Sequence, residues 1–343
     1  MTKIKIAAVS SMLALLLVAG AAALGAAYNA LSLRHYRSIA GVPGTLFTVD
    51  GYPMHLFCTG HGSPAIILDA GLGNDSLIWA KVQPEISKHT TVCAYDRAGF
   101  GWSAPRPGRR DANSIADQLH ALLHIAQVPP PYILMGHSIA GLYVRAYAHR
   151  YLADVAGLIL VDGATPLQND RLPKALIALQ DAQRRQLPWE RLLMRLGWNR
   201  IKGECTQIEP GFERYAAWIR ADSCVPSQIT AIDGELDSER LSGEETLHAG
   251  PFASLPVLIV SRDPAVLPSN WPTDVGRANA IVWNDMQEEA KSLSSHSRRV
   301  IARHSDHDIQ LDRPELLTEL VRGFVTDIRN QDLSHLDGTT KFE

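Results

Sequence analysis

Residues 132 to 148 read YILMGHSIAGLYVRAYA, and this junction restricts the chain more than any other segment. Tyr132 to Met135 is an uninterrupted apolar run, the signature of a strand buried on both faces. From Gly141 onward the apolar positions recur at helical spacing. Only Gly136-His137-Ser138-Ile139-Ala140 separates the two. A strand that becomes a helix so abruptly needs a tight backbone, with small residues two before and two after the apex. Gly136 and Ala140 meet that demand. The apex residue Ser138 is then lifted above the edge of the sheet. The amide of Ile139, at the helix N-terminus, points toward any negative charge forming on a group bonded to the serine oxygen. A hydroxyl becomes a nucleophile only when a base takes its proton, so a histidine must be sought elsewhere.

The remainder of the chain repeats the strand-then-helix rhythm. PAIILDAG, TTVCAYDRAG, VAGLILVDG, LPVLIVS and RRVIARH read as short buried strands. DANSIADQLHALLHIAQ and the stretch from Pro314 to Ile328 read as amphipathic helices, the second with Pro in its first turn. Before them, TLFTVDGYPMHLFC alternates about Asp50-Gly51, a hairpin signal. Buried strands alternating with helices predict an α/β fold, a mostly parallel sheet covered on both faces. Residues 165 to 250 contain helical patches and no convincing strand, too long a gap for a loop. The expected organisation is a membrane or signal segment at 1–28, a linker at 29–43, and core at 44–164. A helical cap at 165–250, core at 251–332 and a polar tail at 333–343 complete it.

The N-terminus stands apart. Lys3 and Lys5 precede an apolar stretch from Ile6 to Tyr28 broken only by Ser10 and Ser11. At ~1.5 Å per residue it is long enough for a hydrocarbon core of about 30 Å. An anchor is one reading; a signal cleaved near Ala19, Ala21 and Ala23 is the other. Either sends the following chain out of the cytoplasm, membrane-anchored or secreted. Four cysteines in an exported chain allow two disulfides. With 33 basic and 36 acidic residues, a net charge of -3 offers no field for nucleic acid.

Four segments, DAGLG at 69–73, YDRAGFGWS at 95–103, GHSIAG at 136–141 and SDHDIQLDRPE at 305–315, stand in one order. Together they resemble the serine hydrolases of the α/β-hydrolase superfamily, over residues 45 to 330. The resemblance implies an α/β-hydrolase fold of eight strands, with the cap inserted between strands 6 and 7. It implies Ser138 as nucleophile and His307, after the last core strand, as general base among 13 histidines, with His304 as fallback. His137, next to the serine, is expected to pack rather than react. For the acid the family location is Asp263; some members use the end of strand 6, here Asp162. The oxyanion hole is expected from the amides of Ile139 and Leu72, although the family's His is missing before Gly71. Asp306 stands where relatives often have Gly. Asp96 and Arg97 are expected to pair and brace the Gly99–Gly101 loop.

If strands 2 and 4 are neighbours as in the family, Cys58 can face Cys93, leaving Cys205 and Cys224 to tie the cap. The implied chemistry is hydrolysis of a small acyl substrate, an ester by preference, with no metal or organic cofactor. The same triad also serves peptidases, acyltransferases, perhydrolases and C–C hydrolases. Dehalogenases and epoxide hydrolases carry aspartate at the elbow. A non-catalytic, membrane-tethered binding protein is the reading outside enzymes.

Overall fold

The computed structural model describes the backbone from Thr2 to Glu343 and side chains from Ile6 onward; Lys3 and Lys5 lie outside the described side chains. Nine strands form one sheet: β1 (Thr45–Val49), β2 (Tyr52–Thr59), β3 (Ala65–Asp69), β4 (Val92–Tyr95), β5 (Tyr132–His137), β6 (Val155–Val161), β7 (Val257–Arg262), β8 (Ser297–Ala302) and β9 (Asp337–Phe342). Their order is β1-β2-β4-β3-β5-β6-β7-β8-β9. β1 and β2 form a hairpin whose turn residues Asp50 and Gly51 have φ of 48° and 86°, the left-handed values a two-residue turn requires. β2 is antiparallel to β4, and every pairing from β4 to β9 is parallel. The carboxyl ends of the parallel strands therefore share one edge, where ligands bind in open α/β sheets.

Both faces of the sheet are covered. In β3, Ala65 and Ile67 join one buried cluster with the Ala112–Ile125 and Ala140–Arg150 helices. Ile66 and Leu68 join the opposite cluster, which includes Leu317, Val321, Phe324 and Val325 of the Pro314–Asn330 helix. Period-two alternation thus feeds two cores, which is why these strands carry no polar face. Cys58 and Cys93 sit directly opposite each other on β2 and β4 and are bridged.

Three expectations change. The polar tail contributes to the sheet: residues Asp337–Phe342 add a ninth strand beside β8, so the sheet exceeds the expected eight. Exposed and polar, that strand carries no hydrophobic pattern that could announce it. The linker at 29–43 is largely helical, because the N-terminal helix runs unbroken from Thr2 to Ala40. The cap at 165–250 does not segregate whole. The chain forms two compact units, one of residues 1–43 with 185–230, the other of 44–184 with 231–343.

In the first unit, one side of the N-terminal helix holds the helices Leu187–Arg195, Trp198–Ile201 and Ala216–Asp222. Asn29 Nδ2 donates to the Met194 carbonyl at 3.0 Å, and Arg200 Nε donates to Asn29 Oδ1 at 2.8 Å. Arg37 Nε donates to the Ala221 carbonyl at 3.2 Å, and a Cys205–Cys224 disulfide closes the unit.

Candidate active site

Ser138 stands between β5 and the Ala140–Arg150 helix with φ of 55°, a left-handed conformation that costs a non-glycine residue strain. The turn is held because the Ser138 carbonyl accepts from Gly141 N and Ala164 N, each at 2.8 Å. The small residues are obligatory. A Cβ on Gly136 would sit 2.6 Å from the Ala140 carbonyl oxygen, and one on Gly141 would sit 2.9 Å from Ala164 N.

His307 follows β8 and brings its imidazole back to the serine: Nε2 lies 2.9 Å from Ser138 Oγ. Its other nitrogen, Nδ1, lies 2.6 Å from Asp162 Oδ2. The carboxylate that the fold brings to His307 is thus Asp162, whereas Asp263, the first expectation, lies elsewhere. Asp263 Oδ2 accepts from His304 N at 3.0 Å and Oδ1 from Ala265 N at 2.9 Å, so its carboxylate closes a local turn. His304, the fallback base, gives its backbone to that turn.

Asp162 is fully buried at the end of β6 with φ of 44°. Burial pushes its carboxyl up. Arg262, with Nε at 3.2 Å, the bond to His307 and the Trp283 indole N–H at 2.9 Å outweigh that and hold it well below the usual carboxylate range. The backbone N–H of Arg262 adds a bond at 3.1 Å. Charged and saturated with donors, Asp162 can fix the imidazole tautomer with the proton on Nδ1, which leaves Nε2 to receive the serine proton.

Opposite the serine lies the loop after β3. A Cβ on Gly71 would meet His137 Nδ1 at 2.8 Å and Ser138 Cβ at 3.2 Å, so the loop backbone touches the elbow itself. Among the described residues, neither the Ile139 nor the Leu72 N–H donates to an acceptor within the chain. Both amides are thus uncommitted within the chain.

A family model described as the alpha/beta hydrolase fold matches residues 64–314. The chain belongs to that family. A protein of Schizosaccharomyces pombe is 27% identical over 330 residues, covering 82% of this chain and 55% of its own length. The probable transporter efuK of Hormonema carpetanum is 36% identical over 116 residues, covering 33% of this chain and 17% of that protein. The chain thus spans about half or less of the curated relatives it matches. Among solved structures, a thermophilic esterase from Thermogutta terrifontis superposes with a TM-score of 0.57 at 21% identity, covering 83% of this chain and 98% of the esterase.

Around this α/β-hydrolase elbow stand residues that the sequence placed in other roles, and some that it did not reveal. Arg97 does not pair with Asp96. Its guanidinium reaches Asp69 Oδ1 at 2.7 Å and Glu235 at 2.9 and 3.0 Å, and donates to the carbonyls of Ala70 and Gly71 at 2.5 and 2.9 Å. It therefore grips the backbone of the loop that presents Leu72. Asp96 does brace the following loop, accepting from Trp102 N at 2.9 Å and Ser76 N at 2.7 Å, with His55 Nδ1 at 2.7 Å.

His137 packs as expected, at 1% exposure. Its Nε2 donates to the His307 carbonyl at 3.1 Å, tying the elbow to the base's loop. Burial first, then the nearby His307, pull its pKa down to about 3, so it stays neutral in ordinary conditions. Asp306, in the family's glycine position, accepts from the His307 N–H at 2.8 Å. Glu235 and Trp283 come from distant helical patches and left no signal a single sequence could reveal.

Proposed function

We propose that this protein is a serine hydrolase that cleaves an acyl bond, preferentially a carboxylic ester, through an acyl-enzyme on Ser138. His307 takes the proton as Oγ attacks the carbonyl carbon, and Asp162 stabilises the imidazolium that results. The tetrahedral oxyanion accepts from the amides of Ile139 and Leu72. As it collapses, His307 returns the proton to the leaving alcohol. A water then enters, His307 deprotonates it, and the carboxylic acid departs with the serine restored. The observation that carries this reading is the chain Ser138 Oγ, His307 and Asp162 at 2.9 and 2.6 Å on a strained strand-to-helix turn. A serine at the apex argues against dehalogenase and epoxide hydrolase chemistry, which needs a carboxylate there.

The N-terminal helix in this reading anchors the enzyme in a membrane with the hydrolase outside the cytoplasm. Its most apolar part has a mean hydropathy of 2.3. The two disulfides favour an oxidising compartment.

The test is hydrolysis of a short p-nitrophenyl ester by the wild type and Ser138→Ala, with a fluorophosphonate probe on both. The variant should lose at least about a thousandfold in rate and all labelling. Equal rates, or a wild type that is folded yet neither labels nor turns over, would reject the proposal.

A further inference from the structure

The N-terminal helix changes character along its length. From Ile6 to Gly20 every residue is exposed on all sides of the helix. From Ala22 on, buried or half-buried positions recur as Ala22, Gly25, Ala26, Asn29, Ser32, Leu33, Tyr36 and Arg37, a single helical stripe. The stretch before the first full contact, residues 6–24, is about 28 Å long at 1.5 Å per residue. That matches the ~30 Å hydrocarbon core of a bilayer.

The first structure to meet the helix beyond that length is the Leu187–Arg195 helix and its continuation. A Cβ on Gly25 would collide with the Leu196 carbonyl, and Asn29 holds the Met194 carbonyl one turn later. This segment is thus fixed at the level where a spanning helix leaves the hydrocarbon.

Its free surface carries an apolar stripe flanked by charged side chains. Trp189, Leu192 and Leu193 lie on one helical stripe at 64%, 42% and 40% exposure, and Trp198 and Ile201 follow at 51% and 60%. A water-facing helix would not spend two tryptophans this way. Tyr28, exposed on the anchor helix, stands at the same level. Between residues 185 and 202 the charged side chains that reach the surface are Arg185, Arg191, Arg195 and Lys202 against Glu190, while Arg200 is buried against Asn29. Aromatic side chains at the headgroup level with basic neighbours are the chemistry of an interfacial helix on an anionic bilayer.

We propose that residues 187–202 form a monotopic membrane contact beside the anchor, with Trp189, Leu192, Leu193, Trp198 and Ile201 seated among lipid headgroups and upper acyl chains. The inference rests on the reading of the N-terminal helix as a bilayer span. It makes the first unit a two-point attachment, one helix through the membrane and one along its surface.

The full chain is reconstituted in vesicles of phosphatidylcholine and phosphatidylglycerol carrying bromine high on the acyl chains. The chain has 7 tryptophans, so wild-type quenching is compared with that of Trp189→Phe/Trp198→Phe, whose missing emission isolates the pair. That emission is expected to fall at least about twofold in brominated vesicles. Leu16→Trp, added to the double variant, reports the anchor with bromine placed deep. Quenching of Leu16→Trp without quenching of the pair overturns the surface contact and leaves the anchor standing. Failure of both removes the anchor reading and the inference with it.

Discussion

Asp162 and Asp263 follow neighbouring strands of one sheet, each one residue beyond the strand's end, yet they do different things. Asp162 is fully buried, sits in a left-handed conformation and is surrounded by side-chain donors from Arg262, Trp283 and His307. Asp263 is half-exposed, and the donors it accepts from are the backbone N–H groups of its own turn and of His304. Burial raises both carboxyls, and in both the donors win, so both are charged at neutral pH. Charge alone therefore does not distinguish an orienting acid from a turn residue; the partner does. Asp162→Asn is predicted to lower kcat for a p-nitrophenyl ester on the order of 10³–10⁴-fold, because the amide can impose the wrong imidazole tautomer. Asp263→Asn should stay within about threefold of wild type. Comparable losses in both variants, measured at saturating ester, would erase the contrast.

That contrast also shows what a sequence can and cannot disclose here. The elbow was legible because its constraints are local: small residues at fixed offsets from Ser138, a buried strand before, a helix after. The approach of His307 to Ser138 was legible because this histidine follows the last core strand in the family's order. The choice between Asp162 and Asp263 was not, since it depends on where the indole of Trp283 and the guanidinium of Arg262 end up. Their placement follows from packing between segments up to 121 residues apart. Likewise Glu235, on the Pro226–Thr246 helix, is 138 residues from Arg97 and reads as one more surface carboxylate. The parallel strands of the core, most of them apolar runs, were readable; β9, polar and largely exposed, was not.

His137, at the end of β5, extends the comparison to a group that must stay uncharged. Its pKa falls from 6.5 to about 3 in the folded protein. Between those values the unfolded chain binds a proton that the folded chain refuses, so stability drops as pH falls from about 6.5 toward 3. At pH 4.5 the penalty from this one site is about 3 kcal/mol. His137→Gln should remove it: the loss of unfolding free energy between pH 7 and 4.5 should shrink by about that amount. Denaturant titrations at the two pH values measure it. An unchanged pH slope would mean that His137 takes up its proton without unfolding the elbow.

The smallest expected effect concerns the carboxyl end of β3, where Asp69 pairs with a buried arginine instead of a histidine. Arg97 spans Asp69, Glu235 and two loop carbonyls at once, which a planar fork of donors can do and a single ammonium cannot. Removing the positive charge would leave the buried Asp69 with the Tyr95 hydroxyl and the buried Glu235 with Arg110, and would endanger the fold. Arg97→Lys keeps the charge and releases the grip on Ala70 and Gly71. The Gly71 carbonyl belongs to the same peptide as the Leu72 amide, and in the proposed mechanism the oxyanion that amide would meet exists only beyond the ground state. The loss should therefore fall on kcat, by about tenfold, with KM nearly unchanged. A rise in KM at constant kcat would instead assign Arg97 to substrate binding, and the loop after β3 would lose its claim as the second oxyanion donor.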